Sequence, residues 1–300
     1  GSGSGELNGP FGVAVDSHGD VFVTDYYNHR IQKFTGNGVF LTEWGDYGED
    51  AGQFYAPAGI TVDGDDNVYV IDPEYLRIQK FSGDGVFLAR WGAWGNGNGA
   101  FECPQGVAVD DDGNIYVADT CNYRIQKFTP DGTYLAKWGS EGRGDGEFND
   151  PYGVAVDGSG NVYVADTKNH RIQKFTTAGS WLATWPAYTF LSPQAVSADS
   201  SGNVYVADRD NHRIQKFDSA GTLLARWGSF GSANGQFNQP AGIAVDGGGN
   251  VYVADIYNYR IQKFTGSGTF LTTWGTEGTG AGQFDMPTGV AVDRNANAYV

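Results

Sequence analysis

Short runs that alternate apolar and polar residues, each closed by Gly, Asn or Asp, follow one another along the whole chain. Gly153-Val154-Ala155-Val156-Asp157 is one such run, and a Gly/Asn turn separates it from Asn161-Val162-Tyr163-Val164-Ala165-Asp166. Alternation with β-branched residues predicts two strands. A polar turn, Thr167-Lys168-Asn169-His170, leads to Arg171-Ile172-Gln173-Lys174-Phe175, and a Gly-containing turn leads to Ser180 to Trp185. The pattern predicts a four-stranded antiparallel meander. No stretch of helical length shows a 3.6-residue apolar period, and Gly is too frequent for long helices. The expected class is all-β.

The meander recurs. Arg-Ile-Gln-Lys-Phe begins at Arg30, Arg77, Arg124, Arg171, Arg213 and Arg260, at spacings of 47, 47, 47, 42 and 47 residues, and self-similarity at such a period marks a repeat architecture. Within each unit the first strand is built from Gly, Val and Ala, whereas the third and fourth carry bulky rings such as Phe34, Phe40 and Trp44. A sheet narrow on one side and wide on the other is a wedge. Wedges packed radially give a β-propeller of four-stranded antiparallel blades, with the repeated Phe and Trp as core.

Pro151 to Asp157, Asn161 to Asp166 and Asn169 to Phe175 resemble the NHL repeat, whose consensus runs through Pro-x-Gly-Val-Ala-Val-Asp, Asn-Val-Tyr-Val-Ala-Asp and Asn-His-Arg-Ile-Gln-Lys-Phe. The resemblance covers nearly the whole chain and implies a propeller, usually six-bladed. It implies no single activity, since the family's fold hosts binders, RNA readers and lyases. One propeller domain over residues 1–300 is expected, with units starting near residues 10, 57, 104, 151, 193 and 240 and a partial seventh over 287–300. Six blades are favoured by family habit; the alternative is a seven-bladed ring with an incomplete last blade. Residues 1–10 align with the interblade segment 142–151, so the chain reads as opening mid-loop, as part of a longer array would. The surplus hairpin then offers end-to-end self-association through residues 287–300.

Charge narrows the partners. The pentapeptides hold twelve of the 19 Lys and Arg residues, leaving seven against 35 acidic residues and a net charge of -16. Such a surface repels phosphate backbones, so no nucleic-acid partner is expected. No apolar run is long enough for membrane insertion. Cys103 precedes the first strand of its unit and Cys121 follows the second; cross-strand partners such as Val109 and Asn114 sum to 223, and the two cysteines sum to 224. They should face each other and form a disulfide, which points to an extracellular or cell-surface location.

Repeated polar residues read as structure. Asp25, Asp72, Asp119, Asp166, Asp208 and Asp255 each end a second strand and supply turn chemistry. His29, His170 and His212 occupy one equivalent position in three different blades, too dispersed for one metal ion. A zinc-dependent amidating lyase related to the family carries histidines directly after the Pro that opens an inner strand. Here those positions are Phe11, Ala58, Gln105, Tyr152, Gln194, Ala241 and Thr288, which argues against that chemistry. Asp63, Asp65, Asn67 and Glu74 match EF-hand positions 1, 3, 5 and 12, but Val68 stands where the loop needs Gly. No metal set and no cofactor is therefore assigned, with weak surface calcium as the one allowance.

Where the copies differ, chemistry is expected. Phe11, Tyr26, Gln105, Thr120, Tyr152, Gln194, Arg209 and Ile256 occupy the post-Pro and post-Asp positions and are expected to form an amphipathic rim on the loop face, suited to a protein, peptide or glycan. Blade five, with eight positions from Trp185 to Pro193 against thirteen elsewhere, is expected to notch that rim, and Pro73-Glu74-Tyr75-Leu76 makes blade two unusual. The leading reading is a non-enzymatic binding scaffold. Its alternatives are a lyase or hydrolase using Arg209, Tyr152 or Tyr26 at a central opening, and a structural subunit of a longer array or filament.

Overall fold

The computed structural model describes residues 1–185 and 189–300. The chain is a six-bladed β-propeller with four-stranded antiparallel blades, each in simple sequential order. Blade one comprises Pro10–Val15, Val21–Asp25, Arg30–Phe34 and Phe40–Trp44; blade two Ile60–Val62, Val68–Asp72, Arg77–Phe81 and Phe87–Trp91; blade three Pro104–Val109, Ile115–Asp119, Arg124–Phe128 and Tyr134–Trp138. These lie in one compact unit, Gly1–Glu141 with Tyr299. A second unit, Gly142–Ala298 with Val300, holds blades four (Pro151–Val156, Asn161–Asp166, Arg171–Thr176, Trp181–Trp185), five (Pro193–Ala198, Val204–Asp208, Arg213–Phe217, Leu223–Trp227) and six (Pro240–Val245, Val251–Asp255, Arg260–Phe264, Phe270–Trp274). The partial seventh repeat forms a two-stranded hairpin, Ala291–Val292 with Ala298–Tyr299.

Size grading works as the sequence implies. In the first unit Phe22, Ile31 and Trp44 of blade one pack with Val68, Val70 and Phe81 of blade two, and Tyr69, Ile71, Ile78 and Trp91 pack with Ile115, Val117 and Phe128 of blade three. In the second, Tyr163, Ile172 and Trp185 meet Val204, Val206 and Phe217. The indoles of Trp44, Trp91, Trp185 and Trp227 each slide beneath a turn of the following blade. A Cβ on Gly85, at φ 81°, would lie 2.6 Å from the Trp44 ring, so glycine serves both the left-handed backbone and the close approach. Inner strands crowd likewise: a Cβ on Gly153 would lie 2.6 Å from the Gln194 carbonyl oxygen.

The six second-strand aspartates do more than close turns. Each is fully buried and sits in register with the first residue of the pentapeptide, as Asp166 does with Arg171. Arg171 Nε donates to Asp166 Oδ2 at 2.6 Å, and Gln173 Nε2 donates to the same oxygen at 3.1 Å. Nη2 of Arg171 and Nε2 of Gln173 share the Glu147 carbonyl in the interblade loop, while Gly146 N–H donates to Gln173 Oε1 at 2.9 Å. The invariant Arg, Gln and Asp thus pin each loop to its blade. Burial raises the carboxyls of Asp72, Asp119 and Asp166, against the pull of their arginines.

Cys103 and Cys121 are bonded, with Cα atoms 5.4 Å apart. The register differs by one from the sequence expectation: Val109 pairs with Ile115 rather than Asn114, because Asp110 to Asn114 form a longer turn in which Asp110 N–H donates to the Asn114 carbonyl. Partners from Ile115 to Val117 therefore share the cysteines' sum of 224, and a bulge between Val117 and Asp119 moves the register by one, to Asp119 opposite Pro104, just before the bridge. Among the described residues no helix is long and apolar enough to cross a membrane.

Candidate functional site

Each unit presents its own share of the expected rim. In the first, Phe11 opens the first strand of blade one and lies 6.1 Å from Tyr26, which starts the short 3-10 turn after Asp25. Tyr26 packs edge-on against Tyr27 at 5.0 Å, and its hydroxyl is held above the usual phenol range by burial and by the charge of Glu74. Gln105 is half-buried, whereas Thr120 is buried in the turn that carries Cys121. Thr120 therefore belongs to the packing of its turn rather than to an open rim. Ile256 in the second unit is buried as well, at the start of its own 3-10 turn.

Tyr152, Gln194 and Arg209 do converge in the second unit. Gln194 hydrogen-bonds the Tyr152 hydroxyl and the Arg209 charge acts on it, but burial dominates and raises the phenol. Arg209 Nη2 donates to Gln239 Oε1 at 2.9 Å and its Nε lies 3.9 Å from Asp210 Oδ1, while among the described residues Gln194 Oε1 has no hydrogen-bond partner. The notch expected from the short segment between Trp185 and Pro193 involves residues 186–188, which lie outside the described residues.

The histidines serve the fold. His170 and His212 accept the backbone N–H of Ser192 and Gln239 at 2.9 and 3.0 Å, and His29 Nδ1 meets the Tyr55 carbonyl. The EF-hand spacing is not assembled: Asp63 is taken by the N–H groups of Asp65 and Asn67, the Asn67 amide and the Tyr69 hydroxyl.

A further group of accessible rings lies in blades one and two, where sequence reasoning singled out His29 and the Pro73 to Leu76 turn but neither Tyr47 nor Tyr55. His29 sits 5.2 Å from Tyr47 and 5.7 Å from Tyr55; Tyr47 and Tyr55 are 5.6 Å apart; Tyr55 and Tyr75 are 6.0 Å apart. Tyr47 is 61% exposed and Tyr55 40%. Tyr75 continues into an open cleft of about 330 Å³ lined by Glu49, Arg77, Arg90, Trp91 and Gly92. Arg77 lies over the Tyr75 ring at 5.0 Å, and Arg90 Nη1 donates to the Glu49 carbonyl at 2.7 Å. The signal was present in the sequence. Tyr47 occupies a loop position before Gly48 that holds Trp94 and Phe230 in two other copies and Glu141 and Glu277 in two more, and Tyr75 belongs to the departing turn of blade two, where Leu76 takes a φ of 54°.

A family model described as NHL repeat matches residues 7–34, 101–128, 148–175, 190–217 and 237–264. Blade two lies outside those segments, in keeping with its altered turn. No curated protein matches the chain. Among solved structures, a streptogramin B lyase superposes with a TM-score of 0.76 at 17% identity over 97% of this chain and 89% of that one. A virginiamycin B lyase from Staphylococcus aureus gives 0.75 at 16% over 95% and 89%, and a chain of a nidogen/laminin complex gives 0.55 at 21% over 72% and 79%. At these identities the likeness is one of fold.

Proposed function

Because this chain is an NHL-repeat propeller whose repeated polar residues are consumed by its own architecture, we propose that it acts as a non-enzymatic binding scaffold outside the cell or at its surface. The observation that carries this reading is the accessible ring cluster of His29, Tyr47, Tyr55 and Tyr75. Phenol rings offer apolar faces at low entropic cost together with hydroxyls for hydrogen bonding, the combination that grips an extended peptide or a glycan chain. The adjoining cleft adds Arg90 and Glu49 for polar contacts. The disulfide supports the location. That a propeller of similar fold occurs in a nidogen/laminin complex is consistent with a protein partner.

A second reading, a lyase, draws on Tyr152, Gln194 and Arg209 and on the two lyases of like fold. It ranks second because burial holds the Tyr152 hydroxyl in its protonated form, unfit as a resting base.

Peptide and oligosaccharide arrays probed with the wild-type chain and with a Tyr47→Ala/Tyr55→Ala variant test the leading reading. Signals that weaken about tenfold or more in the variant, at unchanged melting temperature, support it. Signals indifferent to both substitutions but lost on Arg209→Ala would move the site to the second unit.

A further inference from the structure

One hairpin turn breaks the rule that the others keep. In blades two to six an aspartate, buried (Asp63, Asp157, Asp246) or half-buried (Asp110, Asp199), receives two donors at Oδ2: an Asn side-chain amide at 2.8–3.0 Å and a Tyr hydroxyl at 2.8–3.1 Å. Blade one has Asp20 in place of that Asn and Phe22 in place of that Tyr. Asp16, whose side chain is only 1% exposed, keeps the backbone N–H groups of His18 and Asp20 on Oδ1. Its Oδ2 has lost both donors. What remains there is Lys33 Nζ at 3.4 Å, and that ammonium lies closer to Asp20, at 3.0 Å.

Two further departures lie beside the Asp16 carboxylate. His18 occupies the turn position after Ser17, and Asp66 of blade two stands where the other five complete blades have glycine. Asp66 accepts the backbone N–H and hydroxyl of Ser17 at 2.7 Å each, and its Oδ2 lies 3.1 Å from His18 Nδ1. One ligand atom each from Asp16, His18 and Asp66 falls within a 4.8 Å span. Four residues particular to blades one and two thus replace a neutral donor network by an imidazole and three carboxylates against a single ammonium.

We propose that Asp16, His18 and Asp66 bind a divalent transition-metal ion of the zinc type, which takes the place of the missing Asn and Tyr donors and ties the turn of blade one to that of blade two. An imidazole nitrogen with two carboxylate oxygens matches zinc's preference for few, mixed ligands, whereas calcium calls for six to eight oxygens. Three protein ligands leave a position for water. The role is a structural brace, separate from the aromatic surface.

Isothermal titration of chelator-treated protein with zinc, and separately with calcium, tests this alongside melting curves. The expected result is one zinc site per chain, weakened about tenfold or more by His18→Ala. Two variants restore the repeat and should fold at least as well without metal: Asp66→Gly, and Asp20→Asn with Phe22→Tyr, which refills Asp16 Oδ2 with donors. Loss of the zinc-dependent melting shift in both supports the site. Absence of zinc binding, or zinc binding unchanged in His18→Ala and Asp66→Gly, overturns it. Calcium binding of equal strength that ignores His18→Ala would also overturn the mixed-ligand assignment.

Discussion

Replacing Tyr163 by Phe removes one oxygen atom from the interior, and the structure says what that should cost. The Tyr163 hydroxyl donates to Asp157 Oδ2 at 2.9 Å; the ring is fully buried and carries Lys174 Nζ 5.5 Å from its centroid. A hydrogen bond to a charged acceptor contributes about 1.5–3 kcal/mol. Asp157 would keep the Asn161 amide and the N–H groups of Ser159 and Asn161, so the carboxylate is not orphaned and the lower end applies. The expected loss is about 1.5 kcal/mol. Blade one supplies the reverse experiment, since Phe22→Tyr offers Asp16 a hydroxyl that it lacks, and a gain of about 1 kcal/mol is expected. Urea unfolding followed by tryptophan fluorescence in the presence of chelator measures both. A Tyr163→Phe loss below about 0.5 kcal/mol, or a destabilised Phe22→Tyr variant, would refute the claim that this pair organises the turn.

Two other outcomes follow from the same structure. Tyr69, Tyr116, Tyr163, Tyr205 and Tyr252 are all held above the usual phenol range of about 10 by burial, with an aspartate at each hydroxyl. The native state keeps these protons where the unfolded chain would release them, so stability falls as pH rises past the unfolded value toward the native ones. Absorbance titration should show at least these five of the 17 tyrosines ionising only as circular dichroism is lost; a single folded-state titration near 10 would contradict this. Separately, the Cys103–Cys121 bridge spans 18 residues, and the Cys103→Ala/Cys121→Ala chain should be less stable by about 3 kcal/mol. An unmoved denaturation midpoint would show that the bridge constrains little.

Much of this protein is written in its repeat. Strand order, blade size, the inward rings and the pairing of the two cysteines all follow from alternation and period, because a β-strand's two faces and its neighbour's register are local matters. The structural reading of the histidines and of the six strand-ending aspartates was legible for the same reason, since a residue present in copy after copy serves the copy. What the sequence left hidden lies between blades. Tyr47 and Tyr55 share the loop between blades one and two and Tyr75 comes from a turn of blade two, and only the folding of that loop against blade two brings the three rings together. Thr120 and Ile256 occupy positions equivalent to Tyr26 and Arg209, yet they are buried while Tyr26 and Arg209 stay half-exposed. Asp16, His18 and Asp66 belong to two different turns, and their meeting is decided by how neighbouring wedges abut. Periodicity specifies a blade, but a site made of side chains from two blades depends on the distance between them, which only tertiary packing sets.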